Sequence, residues 1–161
     1  MQLTSKKRQL AQWERGFTLI EILIALVILG ILMAVALPGY NSQVARSKRS
    51  DCMGVMLGFA QAMEKYRAVN YTYLGAADGG SDTGAPASTL HPDQCPIDGE
   101  ALYDLTIQAA TANSFTLEAN PVSTRAQADD GALRINNLGQ RFWDANDDGV
   151  WASTENTWNT N

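Results

Sequence analysis

The chain of 161 residues is poor in the side chains that do most enzymatic chemistry. It holds one histidine, His91, next to Pro92, and two cysteines, Cys52 and Cys95. A lone histidine anchors no Ser/His/Asp or Cys/His constellation, zinc clusters need more Cys and His than this, and no glycine-rich phosphate loop occurs. We therefore expect no enzyme. Basic residues are scarce as well. Beyond position 50, five of them (Lys65, Arg67, Arg125, Arg134 and Arg141) stand against fifteen acidic residues. That deficit excludes tight, nonspecific nucleic-acid binding by a single copy, and no specific nucleic-acid partner is expected. Asp129-Asp130 reads as a solvated turn rather than a working carboxylate pair.

Charge is also missing from one long stretch. From Ile22 to Leu37 nothing is charged or strongly polar, so Phe17–Leu37 suffices to cross a hydrocarbon layer of about 30 Å as one helix. Glu21 is the single ionisable residue in it, and a charge at a membrane centre costs roughly 2.5–3.5 kcal/mol, less near the edge. Such a carboxylate needs a partner or a function. The plainer account is a first-turn acid favoured by the helix dipole and resting at the headgroups. Lys6, Lys7, Arg8 and Arg15 precede the stretch, and Ala34-Val35-Ala36 forms an A-x-A site, which is also the grammar of a cleaved secretory signal. A cut there releases a soluble protein starting at Leu37. Against it, Glu21 interrupts the start of the apolar region and Pro38 sits just beyond the cut. Flanking charges set topology weakly, because Arg46, Lys48 and Arg49 face the basic residues at the other end.

The string Gly16-Phe17-Thr18-Leu19-Ile20-Glu21 that opens the helix resembles the N-terminus of type IV pilins and the related pseudopilins. The likeness covers roughly the first third of the chain. It implies that a prepilin peptidase cuts after Gly16, that Phe17 becomes the methylated N-terminus, and that Glu21 meets the terminal amine of a neighbouring subunit. The organisation it implies is a leader over 1–16, a transmembrane and filament-core helix over 17–40, an amphipathic head helix over 41–70, and a loop, antiparallel sheet and calcium-like loop over 71–161. The implied location is the inner membrane, single-pass with the head in the periplasm, and then the extracellular pilus. Other pilin subunits, the peptidase and the inner membrane are the implied partners. The chain looks most like a minor pilin of the PilE type in type IVa pili, a structural subunit serving pilus assembly and hence adhesion or twitching motility. A type II secretion pseudopilin shares the signature and is the alternative. A secreted calcium-binding module cleaved after Ala36 is the alternative from another class. One feature departs from the family, whose chains mostly place both cysteines near the C-terminus or clasp the terminal loop with them, while Cys52 lies early. An exported chain with two cysteines most simply forms one disulfide, Cys52 to Cys95; two buried thiols are the other possibility.

Helical periodicity continues past the apolar stretch. At 100° steps Cys52, Val55, Met56, Phe59, Met63 and Tyr66 share a stripe that should pack on a sheet. A helix from Phe17 to about Val69 would be about 80 Å long, weakened at Gly30 and Pro38. Gly54 and Gly58 lie opposite the stripe, either to admit a neighbouring subunit or as tolerated small residues. Residues 70–100 read as an irregular loop. Alternation then marks strands at Leu102–Ala109, Ser114–Asn120 and Ala132–Asn136, with another at Arg141-Phe142-Trp143, and Pro121–Gly131 reads as a mobile connection. The fold class is α+β: a long N-terminal helical spine packed on a small antiparallel sheet.

Asp144-x-Asn146-x-Asp148-Gly149-x5-Glu155 satisfies the calcium-loop pattern. Alternate short oxygen side chains converge on a hard cation, Gly149 allows the sharp turn, Val150 offers a carbonyl, Ala152 leaves room for water, and Glu155 closes the site with two oxygens. No helical pattern flanks the loop, so we expect an EF-hand-like loop grafted on a sheet, with Ca2+ as cofactor. An acidic Asn/Asp/Gly turn without metal is the competing account.

Overall fold

The computed structural model describes residues 16–151, 153–155 and 157–158; the leader positions 1–15 and Ala152 lie outside the described residues. Helix α1 is assigned over Leu19–Asn70, running through Gly30 and Pro38. Contacts divide the chain after Tyr40, and each part is described by itself. In the first, the large apolar side chains from Phe17 to Leu37 are exposed. The helix carries a window of mean hydropathy 3.0, long and apolar enough to cross a membrane.

The second part, from Asn41 onward, has a conventional core. The 100° stripe places Cys52, Met56, Phe59 and Met63 on one face of α1, all fully buried, with Val55 and Tyr66 half-buried beside them. Opposite stands a sheet in chain order: β1 (Gln94–Cys95), β2 (Tyr103–Ala110), β3 (Phe115–Pro121), β4 (Leu133–Asn136) and β5 (Arg141–Trp143), each neighbouring pair antiparallel. Alternation buries Tyr103, Leu105 and Ile107 from β2, Phe115, Leu117 and Ala119 from β3, and Leu133 and Ile135 from β4. It breaks after Ile107, where a register shift before Ala109 leaves Gln108 and Ala109 both exposed. The α+β architecture is the expected one. Strand ends differ from the expected ones by a residue, because ladder hydrogen bonds set them rather than hydrophobic period.

Three local expectations need correction. Residues 70–100 are not irregular throughout. A 3-10 turn spans Asp78–Gly80, Ala77 bridges Pro86, Gly84 bridges Ile107, and β1 pairs with the start of β2. Tyr73, Ala76 and Ala77 are buried, and the Tyr73 ring meets Phe115 edge-on at 4.9 Å. A two-residue strand is too short to show a period. The connection after β3 is not a free linker either. It is built from successive turns (Arg125 N to Val122 O at 2.9 Å, Asp130 N to Gln127 O at 2.9 Å) and buries Gln127. Gly58, finally, faces its own chain: a Cβ there would sit 3.7 Å from His91 Nε2, and the His91 ring stacks on Phe59 at 4.9 Å. Gly54 is exposed with open space around it.

A disulfide joins Cys52 on α1 to Cys95 on β1, with Cα atoms 5.5 Å apart and 43 residues between them in sequence. Closing a loop of that length stabilises the fold by about 4 kcal/mol through the unfolded chain's lost entropy.

Gly131 has φ +76°, and a Cβ there would overlap the backbone carbonyl of Asp144. Gly131→Ala should therefore destabilise the head by about 3 kcal/mol, combining a left-handed backbone with an unavoidable overlap. Gly139→Ala is the control, because Gly139 shares the backbone strain (φ +73°) but has no atom within 4 Å of the added group. Its cost should be about 1 kcal/mol. Denaturant unfolding of the full chain in detergent compares the two.

Candidate functional site

The start of α1 is a reciprocal cap. Thr18 precedes the first helical turn, and its backbone N and its hydroxyl both donate to Glu21 Oε2, each at 2.9 Å. Glu21 N donates back to Thr18 Oγ1 at 3.3 Å. A Thr with Glu three residues on is the sequence form of this capping box. Glu21 thereby sits exposed at the helix end, its carboxylate turned toward the N-terminus. Phe17 is 83% exposed, and Gly16 has no atom within 4 Å of where a Cβ would be.

Farther along α1, one turn before Cys52, the buried stripe contains a charge. Arg49 is 4% exposed. Its Nη1 donates to Asp130 Oδ1 at 2.7 Å, and its guanidinium lies 3.7 Å from the Trp143 ring centroid. Asp130 Oδ2 accepts the Tyr103 hydroxyl, and the Asp130 carbonyl accepts Trp143 Nε1 at 2.7 Å. Gln127 Nε2 reaches both Tyr103 Oη (3.2 Å) and the Ala45 carbonyl (3.1 Å). Burial pushes the Asp130 carboxyl above its ordinary range, against the pull of the Tyr103 hydroxyl and the Arg49 guanidinium. Burial, with Asp130 alongside, raises the Tyr103 phenol far above its usual value. These groups hold each other. They clamp α1 to β2, β5 and the connection after β3.

Neither member of the ion pair was legible as such. Asp130 had the look of a solvated turn, and its side chain is 11% exposed. The available signal was Arg49's position at 49, 52, 56, 59, 63: a charge on an apolar stripe must find a buried partner.

In the C-terminal acidic loop, Asp144 is 2% exposed. Its Oδ1 accepts Asp148 N at 3.1 Å and its Oδ2 accepts Gly149 N at 2.9 Å. Asp148 accepts Val150 N at 2.7 Å and the Asn146 side-chain amide at 2.8 Å. Asp147 (φ 52°) and Gly149 (φ 72°) make the reversal. Asp144, Asn146, Asp148 and Val150 are thus drawn into one turn, and Glu155 ends a short 3-10 turn over Ser153–Glu155. Among the described residues no three His, Cys, Asp or Glu side chains form a group fit to hold a metal. Tryptophans fix the segment after the loop's first half: Arg134 lies 3.9 Å over the Trp151 ring, and Trp158 Nε1 donates to the Phe142 carbonyl at 2.9 Å. Those anchors went unrecognised in the sequence, where Trp151 and Trp158 carry no period.

Comparison with known proteins adds identity to this geometry. A family model described as "Type IV minor pilin ComP, DNA uptake sequence receptor" matches residues 38–133, and one described as "Prokaryotic N-terminal methylation motif" matches residues 14–37. Fimbrial protein EcpC of Eikenella corrodens is 30% identical over 128 residues, 78% of this chain and 76% of its own. Type IV major fimbrial protein FimA of Dichelobacter nodosus is 30% identical over 114 residues, 64% of this chain and 69% of its own. Type IV major pilin protein PilE1 of Neisseria gonorrhoeae is 43% identical over 53 residues, 33% of this chain and 32% of its own. Among solved structures, the non-core minor pilin PilV of Neisseria meningitidis aligns with 62% of this chain and 86% of its own at 20% identity, with a TM-score of 0.46.

Removing one partner of the clamp strands a buried charge. Asp130→Ala should cost about 3–5 kcal/mol. The double replacement Arg49→Met with Asp130→Ala should cost less than the sum of the single changes, by about 1–3 kcal/mol. A double-mutant cycle by denaturant unfolding of the full chain measures this; strictly additive changes would show that the two side chains do not act as a pair.

Proposed function

The chain belongs to the type IV pilin family and is a pilus subunit; from that premise we propose that it is a minor pilin, cut after Gly16 by the prepilin peptidase and methylated at Phe17. It then waits in the inner membrane as a single-pass protein with its head in the periplasm, and assembly carries it into the extracellular pilus. The observation that supports this is the run from Phe17 to Leu37, apolar and exposed, with Glu21 as its one carboxylate. Lipid covers that surface before assembly and neighbouring helices cover it afterwards. Glu21 meets the terminal amine of a neighbouring Phe17, an ion pair in a medium where an unpaired carboxylate is costly. The role is structural rather than enzymatic, serving pilus assembly and through it adhesion or twitching motility.

The secretion-pseudopilin alternative shares the N-terminal signature, and the match over 38–133 to a pilin model favours the pilus. A module released after Ala36 would begin inside α1, where the helix continues on both sides of the cut. Minor status follows the description of that family model, while FimA is a major subunit; abundance in sheared filaments separates the two. The DNA-receptor role printed in the family model's description is not carried over. Five of the head's arginines are engaged by its own groups: Arg49 by Asp130, Arg67 by Asn113 and Tyr73, Arg125 by Glu100, Arg134 by Glu118 and Trp151, Arg141 by Trp158, while Arg46 and Lys65 are exposed. The acidic excess beyond position 50, fifteen residues against five basic ones, weighs against neutralising phosphates.

Calcium binding by Asp144, Asn146, Asp148, Glu155 and the Val150 carbonyl is proposed on the spacing and on the Gly149 reversal. Binding would require Glu155 to join the other donors, and the backbone amides now holding Asp144 and Asp148 fix the turn it would join.

Glu21→Ala should leave membrane insertion intact or improved while lowering incorporation into filaments, since removal of a charge favours lipid burial. Quantifying the mature subunit in membranes and in sheared pili checks this, and wild-type incorporation would refute the amine pairing. Calcium at millimolar concentration should raise the melting temperature of the full chain, with magnesium substituting poorly. Asp148→Ala should abolish that increment. Calorimetry without binding heat and without a melting shift would leave a plain acidic turn.

A further inference from the structure

Helix α1 ends on a tripeptide with a chemistry of its own. Asn70-Tyr71-Thr72 is the one place in the sequence where an asparagine stands two residues before a serine or threonine, the acceptor pattern for N-linked sugar. Three residues alone do not make an acceptor; their surroundings do. Asn70 is the last residue of α1 and exposed, Tyr71 is 87% exposed, and the chain turns inward only at the buried Tyr73. Tyr71 holds φ 61°, the left-handed form that glycine or asparagine usually takes at a helix end. The acceptor therefore stands on a protruding turn. Asn70 Nδ2 donates to the Tyr66 carbonyl at 2.9 Å. That nitrogen carries two protons and a sugar replaces one, so the bond to Tyr66 survives the linkage.

A groove of about 370 Å³ runs beside the acceptor, and Asn70 is part of its wall. Tyr66, Val69 and Leu90 give it apolar surface, while Lys65 and Thr89 supply donors. Sugar rings present the matching mixture, with C–H faces and a rim of hydroxyls. Exposed apolar side chains also gather here: Val69, Tyr71 and Leu74 lie within four residues of Asn70. We propose that Asn70 is a glycosylation site and that its sugar lies in this groove, shielding the apolar side chains around it. The donor is a sugar diphosphate, linked either to a lipid or to a nucleotide. Asn70 Nδ2 bonds to the anomeric carbon, the bond from that carbon to the diphosphate breaks, and the diphosphate leaves with the electron pair. One Nδ2 proton passes to a base of the transferase, and nothing is oxidised or reduced. Thr72 Oγ1 accepts Leu74 N at 3.2 Å, which leaves its own proton for recognition by the transferase. The site goes beyond the assembly role proposed above and does not depend on Glu21.

The test isolates the full chain from the envelope of the cells that naturally make it and measures the mass of the peptide bearing Asn70. An added sugar mass should appear on Asn70 in the wild type and in Thr72→Ser. It should be absent from Asn70→Gln and from Thr72→Val, which keeps the acceptor and loses only the hydroxyl. An increment of several sugars assigns the lipid-linked donor, which hands over a preassembled chain; a single hexose assigns the nucleotide donor. A bare Asn70 in the wild-type chain overturns the proposal, and so does an addition that persists in Thr72→Val. Should Thr72→Val fail to accumulate, the wild-type peptide decides the matter alone. A second measurement places the sugar. Chymotrypsin should cut after Tyr71 about tenfold more slowly in the modified chain than in Asn70→Gln, because a tethered sugar stays close to the turn. Equal rates would overturn its placement in the groove.

Discussion

Packing of one stripe of α1 against the inward residues of the sheet is the contact on which the other features of the head depend. Cys52, Met56, Phe59 and Met63 supply the helix side, and Tyr103, Leu105, Ile107, Phe115, Leu117 and Leu133 belong to the same buried cluster. A sheet of such short strands, one of two residues and one of three, has little stability by itself. Covering it with a helix buries one whole face. The disulfide, the buried ion pair and the anchored tail are then additions at particular points along that seam: Cys52 and Arg49 both extend the same helical face.

Arg49 and Glu21 show two ways in which one helix keeps a charge in an apolar setting. Arg49 is deep in the protein, so the fold must bring its partner, and Asp130 arrives from 81 residues away together with the faces of Trp143. Glu21 stands at a helix end with local donors three residues away, and is left with capacity for a partner from outside. The first arrangement is closed and structural. The second is local, confined to the first turn of the helix.

Periodic features were the readable ones. The apolar span, the stripe from Cys52 to Tyr66 and the strands around Leu105, Leu117 and Leu133 follow from residue spacing alone, because helices and strands impose 3.6- and 2-residue repeats. What escaped was set by long-range pairing. β1 exists because Gln94 and Cys95 lie beside β2, and Asp130 is buried because Arg49 is there. The string from Gly16 to Glu21 was legible as a signature, while its internal hydrogen bonds emerge only with the backbone turn. In the acidic loop, the spacing of Asp144, Asn146 and Asp148 announced a turn, and the turn is present. Its oxygens are spent largely on their own amides, a local competition that spacing does not display.

The tail's hold on β5 bears on crowding. An edge strand displays unpaired carbonyls that invite another sheet to add to it, and the hazard grows when many heads stand side by side on a fibre. Here β5 is three residues long, and the Phe142 carbonyl is already taken by the Trp158 indole. The opposite edge, β1, is two residues long and covalently tied to α1. Both borders of the sheet are therefore blunted against strand addition by a neighbouring sheet.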